Sequence, residues 1–100
     1  MPMKREHILR VAEVLTLLGF VHTPRYFAEF HMGLPPRFVE WFVKGNLKMI
    51  QPVVVKHLRD KLNAVHAVLA REISDAEDVW QLWVAQSRYN LLQTALELLD

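Results

Sequence analysis

The chain contains no cysteine, and only three of its 100 residues are glycine. Without cysteine there is no disulfide and no thiol nucleophile, and an intracellular protein is favoured. Each glycine stands at a predicted helix end, which excludes a glycine-rich phosphate loop. The five histidines do not have the spacing of a metal site. We therefore expect a non-enzymatic protein with no catalytic residue, no cofactor and no metal.

Charge of one sign does not dominate either, because the formal net charge is +1. The charge is nevertheless unevenly divided. Residues 1–50 contain seven Lys/Arg and four Glu, whereas residues 51–100 contain five Lys/Arg and seven Asp/Glu. The longest low-charge stretch, which ends at Leu96, includes Arg88 and several amide side chains, so it does not have the composition of a membrane span. We predict a cytoplasmic protein with no membrane partner.

Proline and glycine divide the chain into five predicted helices and no strand. The expected segments are about 5–18, 24–32, 36–44 and 52–72, with a last helix that runs to the C-terminus. Ser74 and Glu77 have the spacing of a capping box, in which each side chain satisfies a free amide of the other residue. This pattern predicts that the last helix starts next to Ser74.

The last two predicted helices have apolar residues at alternating steps of three and four, as in a heptad seam. The final helix also has a second apolar line, formed by Trp80, Val84, Leu91, Ala95 and Leu98. A helix that is apolar on two sides must be covered on two sides. It is therefore either central to its fold or shared with a second chain.

We predict one all-α domain over residues 1–100, built as a long antiparallel helical hairpin with three shorter N-terminal helices. An apolar surplus in so short a chain favours a helix-bundle homodimer. The predicted dimer interface comprises Leu58, Leu62, Val65, Leu82, Tyr89, Leu92 and Leu96.

Seven of the ten aromatic residues lie between positions 20 and 42. They can fill a core beneath the short helices, or they can form an aromatic binding surface of the kind found at protein interfaces. The third predicted helix has only about two turns, and a helix of that length seldom buries two faces fully. Phe38 and Trp41 are therefore the best candidates for exposed anchors. The predicted partner-binding residues are Arg37, Phe38, Trp41, Phe42 and Lys44, and an exposed side of the last helix is the alternative contact surface.

The alternative is a dimeric DNA-binding regulator. Residues 27–45 resemble the helix-turn-helix of phage-repressor-type regulators, whose second helix enters the major groove. Two observations count against this alternative. The spacing from Ala28 to Gly33 is one residue too long, and only Arg37 and Lys44 on the third helix suit contacts to bases or phosphates.

The second half of the chain resembles the TraM-type anti-activators of bacterial quorum sensing. The resemblance rests on the corner Gly33-Leu34-Pro35-Pro36, on two long helices after it, and on the leucine-rich end from Asn90 to Leu99. It covers residues 33–100. It implies a small, all-helical, dimeric protein that binds a LuxR-type transcription activator. The expected partner is therefore a protein, with a transcription regulator as its class.

Overall fold

The computed structural model describes residues 2–100, and most of them are helical. The helical elements, in chain order, are α1 (Arg5–Leu17), α2 (Pro24–Tyr26), a π-helical turn (Phe27–His31), α3 (Pro36–Lys44), α4 (Pro52–Ser74) and α5 (Val79–Leu98). The π-helical turn continues α2 directly, so the two form the second predicted helix together. The five predicted helices are confirmed, and the two longest, α4 and α5, pack against each other.

Proline starts helices at the predicted places, and glycine follows their ends. Thr23 caps α2, since its hydroxyl oxygen accepts a hydrogen bond from the Tyr26 amide at 3.0 Å. Pro36 occupies the first turn of α3, where no amide proton is needed. Gly45 ends α3 with a φ of 81°, a left-handed conformation that glycine adopts without a steric penalty.

The start of α5 differs from the prediction. Ser74 is the last residue of α4, and its hydroxyl donates to the Ala70 carbonyl oxygen at 3.5 Å. The cap of α5 is Asp78, whose Oδ1 accepts a hydrogen bond from the Gln81 amide at 2.7 Å. The predicted capping box at Ser74 is therefore wrong, and the connection between the two helices comprises residues 75–78.

The expectation of no strand is also corrected. Met3–Lys4 (β1) pairs antiparallel with Met49–Ile50 (β2), with Met3 opposite Ile50. The Arg5 amide extends the pairing by donating to the Lys48 carbonyl oxygen at 2.9 Å. This short ladder ties the start of α1 to the segment before α4.

All the buried apolar residues except Ala85 form one cluster, to which α1, the π-helical turn, α3, α4 and α5 all contribute. Arg88 of α5 joins three parts of the chain at its edge. Its guanidinium donates to Glu72 Oε2 of α4 at 3.1 Å and to the Leu18 carbonyl oxygen at 3.1 Å, and it lies 5.8 Å from the ring centre of Phe20. At the other end of α4, Arg59 donates to the Leu99 carbonyl oxygen.

The predicted dimer-interface residues lie mostly inside one chain. Leu58, Leu62 and Leu92 are completely buried, so they cannot contact a second copy in this conformation. Val65, Tyr89 and Leu96 are partly buried and packed against the same core. A heptad seam between two helices of one chain has the same spacing as a seam between two chains, so the spacing alone does not distinguish the two. Leu82 is the exception, with 37% of its surface exposed.

Candidate functional site

Helix α3 presents an aromatic pair to solvent. Phe38 and Trp41 are 38% and 41% exposed, and their rings meet edge to face with centroids 5.0 Å apart at 83°. Arg37 and Lys44 are exposed on the same helix. We call these four residues the α3 surface. The structure thus places four of the five predicted partner-binding residues where a partner could reach them.

The fifth, Phe42, belongs to the core. It has no exposed surface, its ring centre lies 6.2 Å from that of Phe27, and the Arg5 guanidinium carbon lies 5.1 Å from its ring centre. The reason is helical spacing: Val39 and Phe42 are three residues apart and turn inward together. Phe42 is therefore removed from the predicted contact residues, and its role is to anchor α3.

An ion pair beside the α3 surface neutralises Glu40, the acidic residue of α3. Arg25 of α2 donates to Glu40 of α3 through an exposed contact. This hydrogen bond raises the pKa of Arg25 and lowers the pKa of Glu40. Because Glu40 is matched by Arg25, the charges of Arg37 and Lys44 give the α3 surface its net positive charge.

A second exposed aromatic surface lies at the start of α5. Trp80 and Trp83 are 69% and 59% exposed and stack with ring centroids 5.2 Å apart. Val79 is 84% exposed, and Leu82 completes the group. We call Val79, Trp80, Leu82 and Trp83 the tryptophan surface. It lies in the low-charge last helix, whose second apolar line includes Trp80 and whose exposed side is the alternative predicted contact surface. The apolar spacing alone does not single out these four residues.

Helix α1 packs along only part of α5, and this explains why these tryptophans are exposed. Helix α1 borders α5 from Arg88, which donates to the Leu18 carbonyl oxygen, to Leu98, whose carbonyl oxygen is hydrogen-bonded to His7. Over that length the second apolar side of α5 is partly or fully buried. Residues 79–83 lie outside it. Only the C-terminal half of α5 is therefore central to the fold, as was predicted for the whole helix.

Carboxylates border the tryptophan surface. Asp75, Glu77 and Asp78 are exposed in the connection before α5. The ion pairs found among residues 2–100 do not involve any of the three. The two aromatic surfaces therefore have flanks of opposite charge.

An apolar groove lies between α1 and residues 21–27. It has a volume of about 580 Å³, and its lining includes Leu9, Ala12, Val21, Phe27 and Phe42. The only titratable side chains among its lining residues are Glu13 and His22. Such a lining offers contacts to apolar groups.

Over residues 2–100 the structure has neither a cluster of metal-ligating side chains nor a helix suited to a membrane span. That part of the chain brings no three His, Cys, Asp or Glu residues together as metal ligands. None of its helices combines the length and hydropathy needed to cross a lipid bilayer.

The chain was compared with known proteins in three ways. Protein-family models, curated proteins and solved structures all gave no match. The resemblance of residues 33–100 to TraM-type anti-activators therefore stays a prediction.

Proposed function

We propose that this chain is a non-enzymatic regulatory protein that binds another protein through the α3 surface. The observation that carries the proposal is the exposed edge-to-face pair of Phe38 and Trp41 beside Arg37 and Lys44. The partner class is a transcription regulator, in agreement with the resemblance to TraM-type anti-activators. A partner of that class places the protein in the cytoplasm.

The composition of the α3 surface is typical of an interface centre. Tryptophan and arginine are enriched among the residues that contribute most to binding, because they combine a large contact area with a polar group. Trp41 is held by a helix whose other face is anchored by Phe42, so little conformational freedom is lost when a partner covers it. The matching partner face has apolar side chains at its centre and carboxylates at its edge.

The two long helices give this surface a rigid support. We infer that α4 and α5 form an antiparallel hairpin, because Arg59 contacts Leu99 at one end while Glu72 contacts Arg88 farther along. We also propose that the protein forms a homodimer, with a contact that does not use the buried residues Leu58, Leu62 and Leu92.

The first experiment is affinity capture from the native host, with and without nuclease, followed by mass spectrometry. A captured transcription regulator would then be purified and titrated calorimetrically against the wild type, Trp41→Ala and Val68→Ala. Val68 is 52% exposed on α4, so its substitution controls for loss of an exposed apolar side chain. We expect Trp41→Ala to weaken binding by about 2 kcal/mol, roughly 30-fold, because central aromatic anchors contribute that much.

The control should bind as the wild type does. Circular dichroism would establish that both variants stay folded. Equal affinities for wild type and Trp41→Ala would show that the partner does not use the α3 surface.

DNA binding is the second candidate, since α2 and its π-helical turn pack against α3 and leave Arg37 and Lys44 exposed. A helix-turn-helix built from these elements would use α3 as its reading helix. Proteins captured only in the absence of nuclease, and affinity that falls steeply with salt as counterions are released, would favour it. Salt-insensitive binding to a purified protein would favour the first candidate.

A further inference from the structure

The two exposed aromatic surfaces are complementary to each other. The α3 surface combines Phe38 and Trp41 with two cations, and the tryptophan surface combines Trp80 and Trp83 with the carboxylates of Asp75, Glu77 and Asp78. Aromatic rings pack well against one another and against arginine. Each surface therefore has the chemistry that the other would bind.

Within one chain the two surfaces cannot meet. Residue Gly33, just before α3, lies against His57 near the start of α4. The tryptophan surface begins five residues after α4 ends. Helix α4 has 23 residues, which corresponds to a length of about 34 Å at 1.5 Å per residue. The complementary surfaces therefore lie near opposite ends of the longest helix and can come together only between two molecules.

We propose that the tryptophan surface of one copy docks on the α3 surface of a second copy, and that the second copy returns the same contact. Two elongated molecules placed side by side in opposite directions would form both contacts at once. The assembly would be a closed, two-fold symmetric dimer in which each surface is used once per chain. The occupant of the tryptophan surface is thus this same protein.

The exposed area is consistent with a dimer that needs both contacts. An aromatic side chain buries about 150–250 Å². The exposed fractions therefore leave roughly 250 Å² on Trp80 and Trp83 together and roughly 150 Å² on Phe38 and Trp41 together. One contact would bury about 400 Å² of aromatic surface and two would bury about 800 Å², close to the lower limit of specific interfaces once flanking residues are added. We therefore expect reversible association in the micromolar range or weaker.

This dimer would also regulate the protein. In it, the α3 surface is covered by the acidic and aromatic surface of the other copy, which resembles the partner face described above. The regulatory consequence rests on the proposed function, whereas the dimer contact does not. A partner protein would have to open the dimer before it binds.

A charge-exchange experiment tests the contact. Two variants are made, Asp75→Lys/Glu77→Lys and Arg37→Glu/Lys44→Glu, which leave the helix cap Asp78 in place. Sedimentation velocity is then measured for each variant and for their equimolar mixture. Each variant alone should associate at least about tenfold more weakly than the wild type, because like charges meet at both contacts. In the mixture both contacts again join opposite charges, so association should return.

Matched controls separate this contact from general effects of charge. Lys56→Glu/Lys61→Glu changes the net charge as much as Arg37→Glu/Lys44→Glu does, but at exposed positions of α4, and it should associate as the wild type does. Trp80→Ser/Trp83→Ser should abolish association while circular dichroism stays unchanged. Failure of the mixed variants to associate would overturn the proposed contact.

The outcomes also separate the dimer from the proposed function. A wild-type protein that stays monomeric up to millimolar concentration would overturn the dimer and leave partner binding by the α3 surface intact. If the dimer forms, Trp80→Ser/Trp83→Ser should bind a purified partner more tightly than the wild type, whereas Trp41→Ala should lose both interactions. Unchanged partner affinity in the tryptophan variant would overturn the regulatory consequence.

Discussion

A phenylalanine-to-alanine substitution should lower the free energy of unfolding much more on the buried face of α3 than on its exposed face. Phe42 has no exposed surface, contacts Phe27 and lies beneath the guanidinium of Arg5. Replacing it with alanine removes the ring and leaves a cavity, so Phe42→Ala should lower the free energy of unfolding by about 3–5 kcal/mol. A domain of this size is stable by only about 5–15 kcal/mol, so the melting temperature should fall on the order of 20 °C.

Phe38→Ala is the matched control on the same helix. Its ring is 38% exposed and creates no enclosed cavity when removed. The buried part of the ring contributes about 1–2 kcal/mol, and alanine returns about 0.5 kcal/mol through its better helix propensity. We therefore expect a net loss of about 1 kcal/mol, with little change in the folded structure.

Urea unfolding followed by far-ultraviolet circular dichroism measures both values. The measurement should be made at low protein concentration, so that self-association does not add to stability. Equal losses for the two variants, or a loss below about 1.5 kcal/mol for Phe42→Ala, would refute the assignment of Phe42 to the core and Phe38 to the surface.

Two further predictions concern the start of α5 and the dependence of stability on pH. Asp78→Ala should lower the free energy of unfolding by about 1 kcal/mol because it removes the helix cap, whereas Ser74→Ala should be nearly neutral; urea titration that ranks them in the reverse order would contradict the observed cap. The pKa of His31 is lowered because burial disfavours the charged imidazole and Lys61 adds to this effect, against an opposing hydrogen bond with the Phe20 backbone. The unfolded chain therefore binds the proton more readily, so the free energy of unfolding should be fully retained above about pH 6.5 and should fall as the pH drops below it. His31→Gln should reduce this decline, which urea titrations of both proteins at a series of pH values would measure. If both proteins lose the same free energy of unfolding per pH unit, His31 plays no part.

Helix boundaries were predictable where a single residue decides them. Pro24, Pro36 and Pro52 each lie at the first helical position, and Gly45 ends α3. These residues act through their own backbone geometry, which does not depend on the rest of the fold.

Helix boundaries at which two nearby residues could each act as the cap were not predictable in the same way. Ser74 and Asp78 are both good capping residues four positions apart, and the sequence pattern alone does not say which is used. The pairing of β1 with β2 involves two residues per strand, which is too short for an alternating pattern.

The candidate site was partly predictable because exposure depends on which helices lie side by side. Phe38 and Trp41 were recognisable because a two-turn helix seldom buries both of its faces fully. The exposure of Trp80 and Trp83 follows from how far α1 extends along α5, a tertiary relation that the spacing of apolar residues does not contain. The signal that could have identified them is two tryptophans three residues apart, shortly after three carboxylates.

The π-helical turn between Phe27 and His31 changes how distances along this chain should be counted. Its hydrogen bond, from the Met32 amide to the Phe27 carbonyl oxygen at 3.0 Å, spans five residues, one more than in an α-helix. A segment with one surplus residue can therefore complete the same number of turns. The spacing from Ala28 to Gly33 is one residue too long for a phage-repressor-type motif only when every turn is assumed to be α-helical. When helical turns are counted instead of residues, the spacing no longer argues against DNA binding. The side chains that α3 exposes are then the remaining argument for or against it.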